Sequence, residues 1–230
     1  MRTQDSIQIK ICGITREQEI DWLLEEQVEY LGLVLFCPQS KRNLEPERAA
    51  ELLVYLKEQE KILGRVIQTV AVMVSPTREQ MKLAEELGFD FLQLHGRIEP
   101  ELWKQVKLPV IRAVQVVTNE QMTETVNTDN CVVARLYDAA RPGSGKAFDW
   151  KWLAEIALPL EIKLFLARGL TPDNVAEAIR MVHPDVVDVS SGVEADSTAD
   201  GSFAGKDREK ISRFVKAVRE QKELKEEKRR

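Results

Sequence analysis

The chain has 230 residues, of which 43% are hydrophobic and 31% are charged, a composition typical of a folded globular protein. Its 33 basic and 38 acidic residues give a formal net charge of −5, and the basic residues are interspersed among the acidic ones. Proteins that bind nucleic acid usually carry a basic patch, so we expect no nucleic-acid partner. The length leaves room for one large domain or two small ones.

Cysteine usage and the N-terminal sequence indicate the compartment. Cys12, Cys37 and Cys131 lie far apart, form no CxxC pair and have no nearby histidine, which argues against a disulfide scaffold and against a metal site. Residues 1–14 lack the basic stretch and the unbroken apolar run of a signal peptide, and no run of about 18 apolar residues occurs. We therefore expect a reduced, cytoplasmic protein without a membrane partner.

Strand-like and helix-like segments alternate along the chain. Short runs rich in β-branched residues predict eight strands, at residues 7–12, 30–36, 68–74, 90–95, 110–116, 131–137, 163–167 and 186–190. Apolar residues spaced three and four apart predict helices at residues 17–26, 46–58, 78–87, 100–106, 121–125, 150–156, 172–181 and 206–221.

Eight repeats of about 29 residues suit an α/β protein that folds as a single-domain (β/α)8 TIM barrel. An open doubly wound sheet is the alternative. No linker rich in Pro, Gly or Ser divides the chain. We expect the barrel to span residues 1–219 and the charged residues 220–230 to form an extension of the last helix or a tail.

In such barrels the functional residues lie at the carboxyl ends of the strands. Cys12 ends the first strand on the face that it shares with Lys10, whose positive charge would favour the reactive thiolate; a buried thiol without a function is the alternative. Asp138, at the end of the sixth strand, suits a general acid, or else caps the following loop.

Two further polar residues follow strands at the same rim. Arg42 has a planar fork that suits a carboxylate or a phosphate, although a solvated surface arginine is the more common case. His95 ends the fourth strand and either hydrogen-bonds a ligand or is satisfied within the rim.

Small residues end the last two strands, where many barrels bind phosphate through backbone N–H groups. They are Gly169 after the seventh strand and Ser190, Ser191 and Gly192 after the eighth, although ordinary turns favour the same residue types. Below the rim we expect Lys10 and Arg112 to neutralise Asp188, because a lone buried charge is costly.

Six motifs, in this order, resemble the phosphoribosylanthranilate isomerase family of tryptophan biosynthesis. They are KICGIT at residues 10–15, SKR at 40–42, LQLHG at 92–96, GSGKAFDW at 143–150, GLTPDNV at 169–175 and VDVSSGVE at 187–194. The resemblance covers nearly the whole chain. It implies a (β/α)8 barrel that converts N-(5-phosphoribosyl)anthranilate into 1-(2-carboxyphenylamino)-1-deoxyribulose 5-phosphate without a metal or organic cofactor. A monomer and a homodimer both fit such a barrel.

The resemblance also implies roles for particular residues. Asp138 matches the general acid that protonates the furanose ring oxygen, and Cys12 matches the base that removes the C2′ proton. Arg42 matches the residue that holds the anthranilate carboxylate, and the phosphate is expected at Gly169 and at residues 190–192.

Three residues depart from the family pattern, and one of them is Ser75, which stands where asparagine is frequent. Arg168 occupies a position where the family usually has glycine, and Pro142 replaces a typical glycine before the 143–150 motif. Two other functions therefore stay open at this point: a different sugar-phosphate isomerase, and a catalytically silent barrel that binds phosphate.

Overall fold

A computed structural model describes residues 7–115, 131–138, 153, 161–198 and 202–227 of the chain. The strands are β1 (Gln8–Cys12), β2 (Tyr30–Leu35), β3 (Asn43–Leu44), β4 (Gln68–Val74), β5 (Phe91–His95), β6 (Val110–Gln115), β7 (Val132–Asp138), β8 (Lys163–Ala167) and β9 (Val186–Val189).

The strands form one parallel sheet in the order β1-β9-β8-β7-β6-β5-β4-β2-β3. Because β1 also pairs with β2, eight of these strands close into a barrel, and β3 is an extra strand beside β2. The eight predicted strands and the (β/α)8 fold class are therefore confirmed, and the open sheet is excluded.

Helices follow most of the barrel strands. They are α1 (Glu17–Glu25), α2 (Pro46–Leu63), α3 (Arg78–Glu86), α4 (Pro100–Trp103), α5 (Val175–Val182) and α6 (Arg208–Glu227). The helix predicted at 121–125 lies outside the described residues, as does the one at 150–156 except for Leu153. None of the described helices is both long and apolar enough to span a bilayer.

Side chains alternate across the barrel strands, as the pleat requires. Ile9 and Ile11 of β1 belong to the layer between the barrel and its helices, whereas Cys12 belongs to the apolar cluster inside the barrel. Lys10 lies on the inner face with Cys12 and is fully buried. The predicted orientation of the first strand is confirmed, and it directs a thiol and an ammonium into the barrel.

Helix boundaries differ from the predictions in several places; for example, α2 ends at Leu63, five residues beyond the predicted end at residue 58. The helix predicted from residue 172 begins at Val175, because the Asn174 side chain closes a turn before it. Its Oδ1 accepts from the Thr171 amide and its Nδ2 donates to the Gly169 carbonyl, both at 2.8 Å. Helix α4 ends at Trp103, three residues before the predicted end at Val106.

The last described helix crosses the predicted end of the barrel domain. Helix α6 continues without interruption from Arg208 to Glu227. The helix shows no break at residue 219. The division into residues 1–219 and 220–230 therefore stays a prediction.

Candidate active site

A cavity of about 310 Å³ opens at the carboxyl ends of the barrel strands. Residues from seven barrel strands and from the loops after some of them meet there. Six of the predicted site residues line this cavity: Cys12, Arg42, His95, Gly169, Ser190 and Ser191. Folding thus brings together residues that are up to 179 positions apart in the sequence.

Cys12 lies above a buried ion pair. The Lys10 ammonium donates to Asp188 Oδ2 at 2.9 Å, and the two side chains are 0% and 6% exposed. Gly32 of β2 makes room for them, since a Cβ at this position would lie 3.1 Å from both Cys12 Sγ and Lys10 Nζ. Although burial opposes the charged form, the Asp188 carboxylate and the Cys12 thiol raise the pKa of Lys10. A permanent cation therefore lies beside the thiol.

The predicted role of Arg112 in this ion pair is wrong. Its guanidinium instead donates to the Leu94 carbonyl at 2.9 Å and to the Gly96 carbonyl at 2.6 Å. It also lies over the Trp103 ring, 5.9 Å from the centroid. Arg112 lies close enough to the end of β5 for its guanidinium to hydrogen-bond two backbone carbonyl groups there.

His95 lines the cavity as an uncharged imidazole. Burial, together with the charges of Lys10 and Arg112, lowers the pKa of His95 to about 4. Its Nε2 lies 2.8 Å from Nε2 of Gln93, a side chain that is only 2% exposed. At neutral pH His95 can hydrogen-bond a ligand but contributes no positive charge.

Arg42 reaches the cavity over Gly13. A Cβ at Gly13 would overlap the Arg42 side chain, so the absence of one lets the aliphatic stem cross the end of β1. The guanidinium is fixed through Nε, which donates to Glu194 Oε1 at 2.5 Å. Among the described residues, neither terminal amino group of Arg42 takes part in a hydrogen bond, and both suit a planar carboxylate.

The opposite rim is built from two closely packed loops. A Cβ at Gly192 would overlap the Leu170 carbonyl oxygen, so the loops after β8 and β9 can touch only because residue 192 is glycine. Arg168 and Gly169 have left-handed φ values of 64° and 71° and line the cavity. Ser190 Oγ donates to the Cys12 carbonyl at 2.8 Å, which ties this rim to β1.

Asp138 is the last residue of β7. Its backbone pairs with Gln115 and Ala167 at the same end of the barrel as Cys12. Its side chain, Pro142 and the 143–150 motif lie outside the described part of the structure.

The sequence interpretation assigned no role to Glu194 and Lys206. Both are buried charged residues, 7% and 3% exposed, beside the Arg42 side of the cavity. The sequence does carry a signal for Glu194, which is the one charged residue in the otherwise small or apolar run 189–195. Its partner Arg42 lies 152 residues away, so the sequence does not reveal the pairing. Among the described residues, no group of three His, Cys, Asp or Glu side chains could hold a metal ion.

Comparison with known proteins agrees with this architecture. Residues 9–217 match the family model of N-(5′-phosphoribosyl)anthranilate (PRA) isomerase. The chain is 36% identical over 212 residues to the N-(5′-phosphoribosyl)anthranilate isomerase of Streptococcus pneumoniae (strain Hungary19A-6), covering 92% of this chain and 95% of that protein.

Solved structures give the same result. Phosphoribosyl anthranilate isomerase from Thermotoga maritima superposes with a TM-score of 0.78 at 33% identity, covering 93% of this chain and 99% of that one. A phosphoribosyl anthranilate isomerase in complex with reduced 1-(o-carboxyphenylamino)-1-deoxyribulose 5-phosphate superposes with a TM-score of 0.74 at 30% identity, with the same coverage.

Proposed function

The chain belongs to the N-(5′-phosphoribosyl)anthranilate isomerase family, and we propose that it catalyses the corresponding step of tryptophan biosynthesis. In this reaction N-(5-phosphoribosyl)anthranilate is rearranged to 1-(2-carboxyphenylamino)-1-deoxyribulose 5-phosphate. The proposal is supported by the family match over residues 9–217 and by a cavity that is lined by Cys12, Arg42 and Gly169.

Cys12 and Asp138 are the proposed acid–base pair. Asp138 protonates the furanose oxygen, which opens the ring to a Schiff base between the anthranilate nitrogen and C1′. Cys12 then removes the C2′ proton, and the resulting enolamine tautomerises to the ketone. Lys10 lies beside Cys12 on the inner face of β1, so the proposed base has a cation next to it.

The two ends of the substrate are anions, and the cavity offers a different recognition group to each. The terminal amino groups of Arg42 suit the anthranilate carboxylate. Backbone N–H groups around Gly169 and residues 190–192 suit the phosphate, with the Ser190 and Ser191 hydroxyls nearby. His95, uncharged at neutral pH, is proposed to hydrogen-bond the sugar between these ends.

The strongest support for the proposal is that the proposed base and the proposed anion sites line one cavity. Cys12 lies in the same cavity as both anion-recognition groups, so a substrate held at its two ends would present its sugar carbons to the thiol. No metal ion or organic cofactor is part of the proposed mechanism. We also propose a cytoplasmic location, because none of the three cysteines forms a disulfide in the described part of the chain and because the proposed role is biosynthetic.

Anthranilate fluorescence tests the activity. Freshly prepared N-(5-phosphoribosyl)anthranilate loses fluorescence as it is converted, and the purified protein is expected to accelerate this loss far above the spontaneous rate at neutral pH. The product has the same mass as the substrate, so it is identified by its ketone, while the unchanged mass excludes hydrolysis to free anthranilate. Loss at the spontaneous rate with folded wild-type protein would overturn the proposal and leave a silent phosphate-binding barrel.

A further inference from the structure

Glu194 and Lys206 are two buried, oppositely charged residues that the proposed chemistry does not use. They face each other in an isolated antiparallel bridge. Two backbone hydrogen bonds flank the bridge, from Ala195 N to Gly205 O at 3.1 Å and from Asp207 N to Val193 O at 2.9 Å. The backbone thus holds both charged side chains against the Arg42 side of the cavity.

Glu194 is surrounded by cations. Its Oε1 accepts from Arg42 Nε at 2.5 Å and from Lys206 Nζ at 3.3 Å, while its Oε2 pairs with Lys41 Nζ at 2.8 Å. Three positive groups around one carboxylate leave this cluster with a net positive charge. The cluster therefore orders Arg42 without cancelling the positive charge that an anionic ligand requires.

Lys206 connects this cluster to the opposite rim. Its side chain is fully buried, and its ammonium donates to both the carbonyl and the hydroxyl oxygen of Ser190 at 3.2 Å. The Ser190 hydroxyl in turn donates to the Cys12 carbonyl. A continuous series of polar contacts thus runs from Arg42 through Glu194, Lys206 and Ser190 to the strand that carries the proposed base.

We propose that Glu194 and Lys206 are positioning residues for substrate recognition, an inference that rests on the proposed function. Glu194 binds Arg42 through Nε and so turns the two terminal amino groups towards the anthranilate carboxylate. Lys206 anchors Glu194 to Ser190 and fixes the separation between the carboxylate site and the phosphate rim. Because Lys206 is buried, it acts through its neighbours and not by contact with the substrate.

Equilibrium binding to two ligands tests the inference. One is the product, 1-(2-carboxyphenylamino)-1-deoxyribulose 5-phosphate; the other is its phenylamino counterpart, which lacks the carboxyl group. Wild-type protein should bind the product at least about tenfold more tightly than the counterpart, the size expected of a charge-assisted contact. Glu194→Gln should lose most of this preference while binding the counterpart within about twofold of wild type.

Three controls make the test specific. Glu17→Gln removes the carboxylate from a more exposed ion pair with Arg48 on the outer helices and should leave the preference unchanged. In an Arg42→Ala background, Glu194→Gln should cause no further loss, because the two residues act as a unit. Lys206→Met should also reduce the preference, and it provides a second variant if Glu194→Gln fails to fold.

The possible outcomes separate the two proposals. If wild-type protein does not bind the product, the proposed function fails. If wild-type protein shows the preference and Glu194→Gln keeps it, or binds the product more tightly, the positioning inference is overturned. Tighter binding would mean that Glu194 competes with the ligand carboxylate for Arg42.

Discussion

At the scale of the single residue, Cys12 is the proposed base, and a buried ion pair lies beside its thiol. Lys10 lies on the same face of β1 and forms an ion pair with Asp188 inside the barrel. Removing one partner of such a buried pair costs about 3–5 kcal/mol, so the charge is held in place by the fold. The strand thus supplies both the thiol and a cation beside it.

Replacement of the acid and the base should slow the chemical step. We expect Cys12→Ser and Asp138→Asn each to lower kcat by about 10²–10⁴-fold with a smaller change in KM, because each would remove a proton transfer. Steady-state kinetics with N-(5-phosphoribosyl)anthranilate measure both constants. Cys131→Ser and Asp21→Asn, which change a cysteine and an aspartate elsewhere on the barrel, should have nearly normal kcat. Near-normal turnover in Cys12→Ser or Asp138→Asn rejects the role of that residue.

Arg168 should have opposite effects on binding and on stability. It lines the cavity beside Gly169 with a φ of 64°, a conformation that costs a residue with a side chain about 1–2 kcal/mol. Arg168→Gly should therefore raise the free energy of unfolding by about 1 kcal/mol and raise KM severalfold through loss of a cation near the phosphate.

Arg168→Asn separates these two effects, since asparagine tolerates left-handed backbone but carries no charge. It should raise KM as Arg168→Gly does. Denaturant unfolding and steady-state kinetics give the two quantities, and a lower KM in either variant would mean that the arginine obstructs the phosphate.

At the scale of elements, the loop after β8 and the loop after β9 form one continuous rim, the proposed phosphate site, only because they touch. Gly192 packs against the Leu170 carbonyl, and Asn174 ties the first loop to the start of α5. The rim is therefore a joint product of two strands that are neighbours in the barrel.

A methyl group at residue 192 should separate the loops. We expect Gly192→Ala to raise KM for the phosphorylated substrate by about tenfold or more, because the Cβ would overlap the Leu170 carbonyl and push the rim open. Gly88→Ala is the matched control: Gly88 has a φ of 83° but open space around it, so this change should cost stability without altering KM. Unchanged KM in Gly192→Ala contradicts the two-loop rim.

The sequence predicted the strands better than the connections between them. Strands of a closed parallel barrel are buried on both faces, so runs such as Gln68–Val74 and Lys163–Ala167 are marked by their composition and match the structure residue for residue. The start of α5 was misplaced because the Asn174 turn imitates a helix start. The two-residue strand β3 is too short to leave a periodic pattern.

At the scale of the whole molecule, the site depends on contacts between distant parts of the chain. Lys10 and Asp188 are 178 residues apart, and Arg42 and Glu194 are 152 apart. Local patterns placed Cys12, Arg42 and Ser190 at the rim, since strand ends are visible in the sequence. Local sequence patterns do not predict the Arg42–Glu194 ion pair or the contacts of Arg112 with backbone carbonyl groups in place of Asp188. Both depend on how the barrel closes and on how far each side chain extends.

Protonation of Glu194 should weaken the folded state in acid. Burial alone would raise its pKa, but the hydrogen bonds from Arg42 and Lys41 and the charge of Lys206 lower the pKa of Glu194 from 4.5 to about 2. The folded protein thus binds this proton less tightly than the unfolded chain. The stabilisation, at most about 3 kcal/mol, is fully present above about pH 5 and is lost as the pH falls towards 2.

Comparison with a neutral variant isolates this effect. Glu194→Gln should flatten the dependence of unfolding free energy on pH between about pH 5 and pH 2, as measured by denaturant unfolding. A wild-type slope retained in the variant would show that other carboxylates account for the loss in acid.

The most direct test of the whole account is a crystal structure with the product, 1-(2-carboxyphenylamino)-1-deoxyribulose 5-phosphate, bound. We predict the phosphate within hydrogen-bonding distance of the backbone N–H groups of Gly169 and Ser191 and the carboxylate on the terminal amino groups of Arg42. Cys12 and Asp138 should contact the sugar from opposite sides. A product bound outside this cavity, or bound with its phosphate on Arg42, would contradict the account.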